Sequence, residues 1–580
     1  MFILSTKKLT YVLLAFVFIQ FSFLNAQPVS LRGDITIKEL ADVNYSSVRI
    51  VHDPVTDNLY ILRNDGVVER VEFNSDTTSA TFTSVYTKSD HGLEDLLGMA
   101  FGQDGTLYLV GNSTSSSNNE YGTGTVVKGI PDSLGSEERT WSILAETVEY
   151  PFGRIYNHRM SGIAVDPNGE YIYVNSGART DHGEERDGFR EVGLTSIILK
   201  LPADGDTITL QNSREWLRTH DYIMAEGIRN DFCLAFSGNG DLFSVENSGD
   251  RDDPEEMNWI REGHHYGFPW RIGGNNTPQQ FAGYNPMNDP LLAPNAWGGG
   301  DLYGTFYNDS LYPSPPDSVT FTEPVMNYGP DADSFRDTLT GEVKDASELG
   351  IPITTFTPHR SPDGIVFDKD SSLAWDLKGD AFVISLAAGN TFTPLQDTSQ
   401  DLLHIKLTKM GDSLYKAHVT RLAYGFIAPL GIELVGNKLF IVETGLWSRP
   451  FNAPPKLYEI TLPIDIPITD VNTIKNSPVT FKLYQNYPNP FKPTTKIKYT
   501  IAPPNLSKGE TVGTSFMKFV KLKIFDILGN EVTTLVNKQQ HPGDYEILFE
   551  ADKLRLSSGV YFYQLICGEF MEVKRMVLLK

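Results

Sequence analysis

Residues 226–270 combine side chains that could do chemistry. The pair Arg229-Asn230 precedes a short apolar strand, and a run of acids follows a second strand: Asp250, Asp252, Asp253, Glu255 and Glu256. A guanidinium beside an amide can stabilise negative charge. Carboxylates are hard oxygen donors that suit calcium, although this spacing is not that of an EF-hand. This stretch is therefore the first candidate for a functional site.

Each of these features also has a purely structural interpretation. The pair Arg229-Asn230 could tie one sheet to the next, and an acidic run in a loop is usually solvated. His158, which lies just before another strand, could be a turn or capping residue. A second charged loop spans residues 181–187, and nothing in its spacing indicates a metal site.

The strand–turn–strand pattern of this stretch occurs six times along the chain. Each copy joins two apolar strands through a short turn, usually containing Asp, Asn, Gly or Pro, and a third apolar strand usually follows. The copies begin at Val48, Leu97, Ser161, Leu234, Pro362 and Pro429. One small sheet cannot bury both of its faces, so sheets at such intervals are typical of a propeller and fit a β-sandwich poorly. The sequence predicts an all-β fold with a six-bladed β-propeller.

A long interruption separates the fourth and fifth copies. Residues 273–350 are rich in Gly, Asn, Pro and Asp. Loops of this length usually form lids or site walls. We expect that use here, with decoration of one propeller face as the alternative.

Composition limits the possible partners. The chain has 580 residues, so it should contain at least two domains. Its net charge of −24 should repel nucleic acid and anionic membranes. Only two cysteines exist, Cys233 and Cys567, and they lie far apart in sequence. Stability must therefore come from packing rather than from a disulfide framework.

The N-terminus has the pattern of a signal peptide. Lys7 and Lys8 precede an apolar run, and Ala26 offers a small residue for cleavage. We predict a signal peptide over 1–26, a propeller over 27–462, a linker over 463–476 and a C-terminal domain over 477–580. No other stretch could span a membrane, so the mature chain should have no integral membrane segment.

The C-terminal domain alternates apolar and polar residues with closely spaced turns, which predicts a small β-sandwich. Its motifs are Tyr-Pro-Asn-Pro-Phe at 487–491, Asp-Ile-Leu-Gly-Asn at 526–530 and Ser-Gly-Val-Tyr-Phe-Tyr at 558–563. In these motifs it resembles the C-terminal sorting domain of the type IX secretion system; an ordinary accessory sandwich is the alternative. The resemblance implies export by that machinery, with a secreted or cell-surface location.

The propeller resembles the glucose/sorbosone dehydrogenases, six-bladed enzymes that use pyrroloquinoline quinone (PQQ) and calcium. The resemblance lies mainly in Gly-Ile-Arg-Asn at 227–230, the acidic segment 252–258, and Tyr-Gly-Phe-Pro at 266–269. It implies that His158 is the catalytic base and that Arg229 and Asn230 bind the quinone, with Arg229 also catalytic. It implies calcium on the backbone carbonyls of Ser248 and Gly249. The predicted donors for a further calcium ion are Asp252, Asp253 and Glu255.

Several family positions differ in this chain. The cofactor-binding lysine falls at Ala387, and the basic residues before the sixth strand fall around Phe426 and Ala428. The aspartate of a Gly-Asp pair falls at Ala178. Much of the positive charge that should clamp three quinone carboxylates is therefore missing, and burying those carboxylates unpaired would be costly.

Three functions remain open from the sequence. The first is oxidation of an aldose or related polyol with PQQ and calcium. The second is a non-catalytic propeller that binds glycan or protein, with calcium as a structural element. The third is a calcium-dependent lactonase-like hydrolase, for which Glu226, Asn230 and Asn247 are the nearest candidates to hold the ion.

Overall fold

A computed structural model describes residues 27–153, 158–292, 305–374, 376–387, 395–446, 454–464, 482–501, 518–527, 529–540, 543–554, 556–567 and 570–579. The predicted signal peptide 1–26 and most of the predicted linker lie outside these residues. The chain divides into two compact units, Met1–Asp465 and Ile466–Lys580. In the described part of the chain, no helix has the length and apolar character needed to cross a bilayer.

The first unit is a six-bladed propeller, as predicted. In its described residues, five of the six blade sheets have four main antiparallel strands, and the sheet of the fourth blade has three. The strands of blades 1 to 3 are Ser47–His52, Leu59–Arg63, Val68–Phe73 and Ala80–Tyr86; Leu96–Phe101, Leu107–Thr114, Tyr121–Pro131 and Arg139–Thr147; Met160–Val165, Tyr171–Ser176, Ile197–Pro202 and Ile223–Glu226. Those of blades 4 to 6 are Asp231–Phe236, Leu242–Glu246 and Glu256–Ile260; Pro362–Phe367, Ala381–Ser385, Asp401–Met410 and Leu414–Tyr424; Pro429–Val435, Lys438–Glu443, Lys456–Thr461 and Thr36–Asp42.

The ring closes through the N-terminal segment. Strand Thr36–Asp42 completes blade 6 by pairing antiparallel with Lys456–Thr461, and Ile37 lies opposite Ile460. The innermost strands of the six blades contact one another in order, and that of blade 6 contacts that of blade 1. Closure in this way leaves the ring without an open edge between its first and last blades.

Each innermost strand contains a β-bulge near its start. The register against the second strand shifts at Ser47/Arg49, Leu96/Gly98, Met160/Ile163, Asp231/Cys233, Pro362/Gly364 and Pro429/Gly431. Glycine at four of these bulges lets adjacent blades approach closely. A Cβ atom on Gly98, for example, would lie 2.1 Å from the carbonyl oxygen of Ser161 in blade 3. Because a bulge bends its strand, the residues before it turn towards the axis.

Arg49 replaces glycine at the bulge of blade 1, and its buried side chain bridges several blades. The guanidinium donates to the carbonyl oxygens of Leu97 at 3.0 Å, Asp363 at 3.3 Å and Phe232. It also lies 4.0 Å from the centre of the Phe232 ring. Blades 1, 2, 4 and 5 are therefore joined by one side chain. On one side of Arg49, a cavity of about 710 Å³ is lined by the turns after the innermost strands.

Short elements lie outside the blades. The helices of the described residues are Lys88–His91, Arg214–Thr219 and Ala346–Leu349, with 3-10 turns at Pro278–Gln280 and Pro286–Asn288. Short strands pair at blade edges or in small hairpins: Val29–Ser30, Tyr150–Pro151, Ile208–Leu210, His264–His265, Arg271–Ile272, Asn275–Asn276, Met326–Asn327, Ser334–Arg336, Val343–Asp345 and Ile353–Thr354. The insertion packs on the charged loop of blade 3, because the Phe306 ring stacks on His182 at 4.1 Å.

The second unit is a β-sandwich. Its strands are Lys482–Leu483, Tyr487–Lys492, Thr494–Ile501, Lys518–Phe525, Glu531–Gln540, Gly543–Glu550, Gly559–Cys567 and Phe570–Leu578, with a 3-10 turn at Ala551–Leu554. The predicted alternation is present, since Val520, Leu522 and Ile524 are buried on one face of their strand. Phe491, from the Tyr-Pro-Asn-Pro-Phe motif, is buried in the same core.

Candidate functional site

The predicted catalytic and cofactor residues meet at the end of the channel where the innermost strands begin, which we call the well. The backbone of Ala178 joins two of them: its N–H donates to the Arg229 carbonyl at 2.7 Å, and its carbonyl lies 3.2 Å from Nδ1 of His158. A Cβ atom on Gly177 would lie 2.8 Å from the Cβ of His158 and 3.2 Å from Oδ1 of Asn230. Blades 3 and 4 thus bring His158, Arg229 and Asn230 together.

His158 is held as a neutral imidazole. Burial lowers its pKa to about 3, and the charge of Arg229 acts in the same direction. The ring proton belongs on Nδ1, because the Ala178 carbonyl can only accept, so Nε2 is the acceptor nitrogen. A base with so low a pKa removes protons poorly near neutral pH. The ring is better suited to accepting a hydrogen bond from a hydroxyl than to abstracting its proton.

Arg229 is clamped by the charged loop of blade 3. Its Nη2 donates to Oδ1 of Asp181 at 2.7 Å and its Nε to the Asp181 carbonyl at 2.9 Å. Its Nη1 donates to the carbonyl of Asn247 at 3.0 Å. Both residues are buried, so the ion pair is shielded from water. The cation implied for quinone binding is therefore engaged by this protein's own acid.

Asp181 is fixed from several directions. Its carboxylate accepts the N–H of Asp250 at 3.1 Å and lies 3.0 Å from Nδ1 of His182. Burial opposes ionisation, but Arg229 and His182 hold the pKa of Asp181 well below its usual range. A Cβ atom on Gly249 would lie 3.0 Å from Oδ2 of Asp181, so a larger residue there would crowd this carboxylate.

The loop after the second strand of blade 4 presents unsatisfied polar atoms. Oδ1 of Asn247, Oγ of Ser248 and Oδ2 of Asp250 are buried and have no hydrogen-bond partner within the described residues. Burying such atoms is costly, so a ligand or water that donates to them is expected. The loop includes Ser248 and Gly249, the predicted carbonyl ligands of calcium, whose role stays a prediction.

Two further carboxyl groups flank this loop. Burial raises the pKa of Asp363 to about 7, although the Asn247 amide, 3.0 Å away, lowers it. Burial and the Asp181 charge raise the pKa of Asp250 to about 7. The sequence analysis missed Asp363 and did not connect Asp181 with Arg229. A signal in the sequence could have indicated this pair. Asp181 lies three residues after Ala178, the position at which the resemblance implies an aspartate.

The acids predicted to bind a further calcium ion are buried rather than solvated, and each has separate partners. Asp252 pairs with Arg336 at 2.6 Å and His359 at 2.7 Å, and Asp253 pairs with Arg251 at 2.6 Å. Glu255 accepts the N–H groups of Arg360 at 2.9 Å and Ser361 at 3.1 Å. No group of three or more His, Cys, Asp or Glu among the described residues could hold a metal ion. Their metal role stays a prediction.

Of the three residues considered for a lactonase-like ion site, Asn230 and Asn247 are neighbours, since the Asn247 N–H donates to the Asn230 carbonyl at 3.2 Å. Glu226 pairs with Arg218 at 2.7 Å, beside the helix Arg214–Thr219 of blade 3. The Asn247 amide donates to Asp363.

Comparisons with known proteins support both predicted resemblances. Residues 50–297 match the family model described as glucose/sorbosone dehydrogenase, and residues 485–579 match that of the secretion system C-terminal sorting domain. The propeller is thus similar to the glucose/sorbosone dehydrogenases, and the C-terminal unit to the type IX sorting domain. No curated protein matches the sequence.

Solved structures similar to the dehydrogenase-like propeller include three sugar dehydrogenases, and the descriptions of two of them name PQQ. The PQQ-bound aldose sugar dehydrogenase of Streptomyces coelicolor is 16% identical, with a TM-score of 0.42 over 75% of this chain and 99% of that one. The holo PQQ domain of pyranose dehydrogenase from Coprinopsis cinerea is 11% identical, with a TM-score of 0.46 over 75% and 97%. The apo aldose sugar dehydrogenase of Escherichia coli is 12% identical, with a TM-score of 0.40 over 74% and 99%.

The donor set of the dehydrogenase-like propeller does not fit a tricarboxylate such as PQQ. Ala178, Ala387, Phe426 and Ala428, which fall where the resemblance implies charged residues, are all buried. Three arginines near the starts of the innermost strands pair with acids: Arg229 with Asp181, Arg159 with Asp95, and Arg360 with Asp397 and Asp401. A fourth, Arg49, donates to three backbone carbonyl groups. The well therefore offers carboxylates where the quinone needs cations.

Proposed function

We propose that this exported propeller binds a carbohydrate or polyol in its well. The observation that carries the proposal is the set of unsatisfied buried atoms on Asn247, Ser248 and Asp250. Sugar hydroxyls can donate to these atoms and complete their hydrogen bonds. The match to a family of sugar-oxidising proteins is consistent with such a ligand.

Side chains of blades 3 and 4 supply complementary groups. Nε2 of His158 can accept from a hydroxyl, and the Asn230 carboxamide can both donate and accept. The Asn230 side chain is buried, with Oδ1 near Gly177 and His158. A polyhydroxylated ligand would therefore contact blades 3 and 4 together.

Binding is tested on the full-length secreted protein with a panel of aldoses, polyols and oligosaccharides, by saturation-transfer NMR and calorimetry. We expect Asn230→Ala and His158→Ala to weaken binding about tenfold, the effect of losing one to two hydrogen bonds. Asn74→Ala, at an exposed turn of blade 1, is the matched control. Absence of binding by every compound, or equal binding by all variants, would contradict the proposal.

A second candidate is oxidation of an aldose or polyol with PQQ and calcium. The meeting of His158, Arg229 and Asn230 favours it, since the family resemblance assigns these residues to catalysis and quinone binding. The poor fit of the quinone counts against it. Dye reduction by protein supplied with PQQ, calcium and sugar, and lost in His158→Ala, would establish this activity.

We also propose how the chain reaches its location. A Sec signal peptide over 1–26 would deliver it to the periplasm, and the sorting domain would direct it through the type IX machinery to the medium or cell surface. The proposed boundaries remain 27–462 for the propeller, 463–476 for the linker and 477–580 for the sorting domain. N-terminal sequencing of the secreted protein by Edman degradation or mass spectrometry would locate the signal-peptide cleavage site.

A further inference from the structure

The starting observation is that Asp181 neutralises the charge of Arg229 and, with Asn247, engages three of its five N–H donors. The Asp181 carboxylate accepts from Nη2 of Arg229 at 2.7 Å, and the Asp181 carbonyl accepts from Nε at 2.9 Å. The carbonyl of Asn247 accepts from Nη1 of Arg229 at 3.0 Å. An arginine fork with open donors would instead be a good site for a ligand carboxylate.

The remaining charges around the well favour rejection of anions. Asp250 and Asp363 add two more carboxyl groups close to the unsatisfied atoms. Arg159 and Arg360 at this end of the channel pair with acids away from Arg229, and Arg179, in the loop of Asp181, donates to the carbonyl oxygens of Arg186 and Phe189. A ligand carboxylate entering beside Arg229 would meet the ionised Asp181 and, at neutral pH, the partly ionised Asp250 and Asp363, at low dielectric.

We propose that Asp181 determines the ligand specificity of the well: by neutralising Arg229, it restricts the site to neutral sugars and polyols and excludes the matching uronates and aldonates. This inference rests on the proposed carbohydrate binding. It assigns to Asp181 a specificity role rather than a catalytic one, because Asp181 acts through Arg229.

The test uses sugar pairs that differ by one carboxylate, D-galactose with D-galacturonate and D-glucose with D-glucuronate. Calorimetry on the full-length protein gives the ratio of uronate to neutral-sugar affinity. In Asp181→Asn, Arg229 regains an open charge, and we expect this ratio to rise at least about tenfold. Adding Arg229→Gln to that variant should abolish the gain.

Asp250→Asn is the matched control, because it removes one carboxyl group but leaves the Arg229–Asp181 pair intact. We expect it to raise the ratio less than Asp181→Asn does. An equal or larger rise, or a folded Asp181→Asn protein without any rise, would overturn the proposal. Folding of each variant is checked by its unfolding midpoint.

The wild-type protein provides a measurement that does not depend on folding of the variants. Salt screens repulsion between a uronate and the acids of the well, so uronate affinity should increase as NaCl is raised from about 0.02 to about 0.5 M. Wild-type binding of a uronate as tightly as of its neutral partner would refute the role of Asp181. Failure to bind any neutral sugar would instead refute the proposed function, while a uronate gain in Asp181→Asn would still support the charge argument.

Discussion

At the scale of single residues, burial determines what each group in the well can do. His158 is kept neutral by desolvation and by Arg229, which makes it an acceptor for a hydroxyl rather than an effective base. Arg229 keeps its charge but is paired with Asp181. Residue types that suggest dehydrogenase chemistry in the sequence therefore acquire different properties from their neighbours in the fold.

Asp363 should make stability depend on pH. Its folded pKa of about 7 lies above that of an unfolded aspartate, so the folded state binds the extra proton between about pH 4 and 7. Stability contributed by the neutral carboxyl group is thus present at low pH and lost as pH rises through 7. We expect Asp363→Asn to reduce this loss by at least about 1 kcal/mol, measured by urea unfolding at pH 5 and 7.5. An identical pH dependence in both proteins would contradict the assignment.

At the scale of elements, a bulge in each innermost strand builds the well. The same irregularity occurs in all six blades, at the end of the channel where His158 and Asn230 lie. Bulges bend strands and re-aim side chains, which explains how residues just before the regular strand reach the axis. Glycine at four of the bulges allows the close contact between blades that this bending requires.

Gly98→Ala should therefore destabilise the propeller by about 1–3 kcal/mol, the usual effect of overpacking. The added methyl group would meet the carbonyl of Ser161 at 2.1 Å and Val110 at 3.0 Å. Gly33→Ala is the control, because nothing lies within 4 Å of a Cβ atom there. Thermal unfolding followed by calorimetry measures both. Equal stability of the two variants would show that the blades can separate at low cost.

At the scale of the whole molecule, contacts distant in sequence hold the ring together. The N-terminal strand completes blade 6, and Arg49 of blade 1 hydrogen-bonds to blades 2, 4 and 5. A buried guanidinium with three carbonyl partners satisfies groups that would otherwise be unpaired.

Arg49→Leu should cost about 3 kcal/mol or more, because three buried carbonyl groups lose their donor. Arg63→Leu is the comparison: Arg63 pairs with Asp65 and Glu69 near the surface, where such pairs contribute about 1 kcal/mol or less each. Denaturant unfolding monitored by tryptophan fluorescence distinguishes them. A loss for Arg49→Leu no greater than for Arg63→Leu would argue against a bridging role.

The sorting domain predicts a cellular phenotype. Deletion of residues 485–580 should leave the propeller inside the cell envelope, since the matched domain is the export signal. Immunoblots of medium, surface and periplasmic fractions from the native host would show this, with the intact protein as control. Normal appearance of the truncated protein in the medium would mean that export relies on another segment.

Local patterns made most of the fold predictable. Six strand–turn–strand copies predicted the six blades. The alternation of apolar and polar residues, with Val520, Leu522 and Ile524 on one face, predicted the sandwich. The closing strand Thr36–Asp42 and the Arg49 bridge were not predicted, because both depend on partners hundreds of residues away. In the well, His158, Arg229 and Asn230 do meet, but the Arg229–Asp181 pair depends on a loop conformation that sequence spacing does not encode.

Equilibrium binding of PQQ to the full-length protein in about 1 mM calcium tests the central claim, that the well lacks available positive charge for a polycarboxylate. Titration is followed by quenching of tryptophan fluorescence, with Asp181→Asn measured in parallel. The account predicts no saturation of the wild-type protein at micromolar PQQ and a detectable gain in the variant. Stoichiometric micromolar binding by the wild-type protein would contradict it.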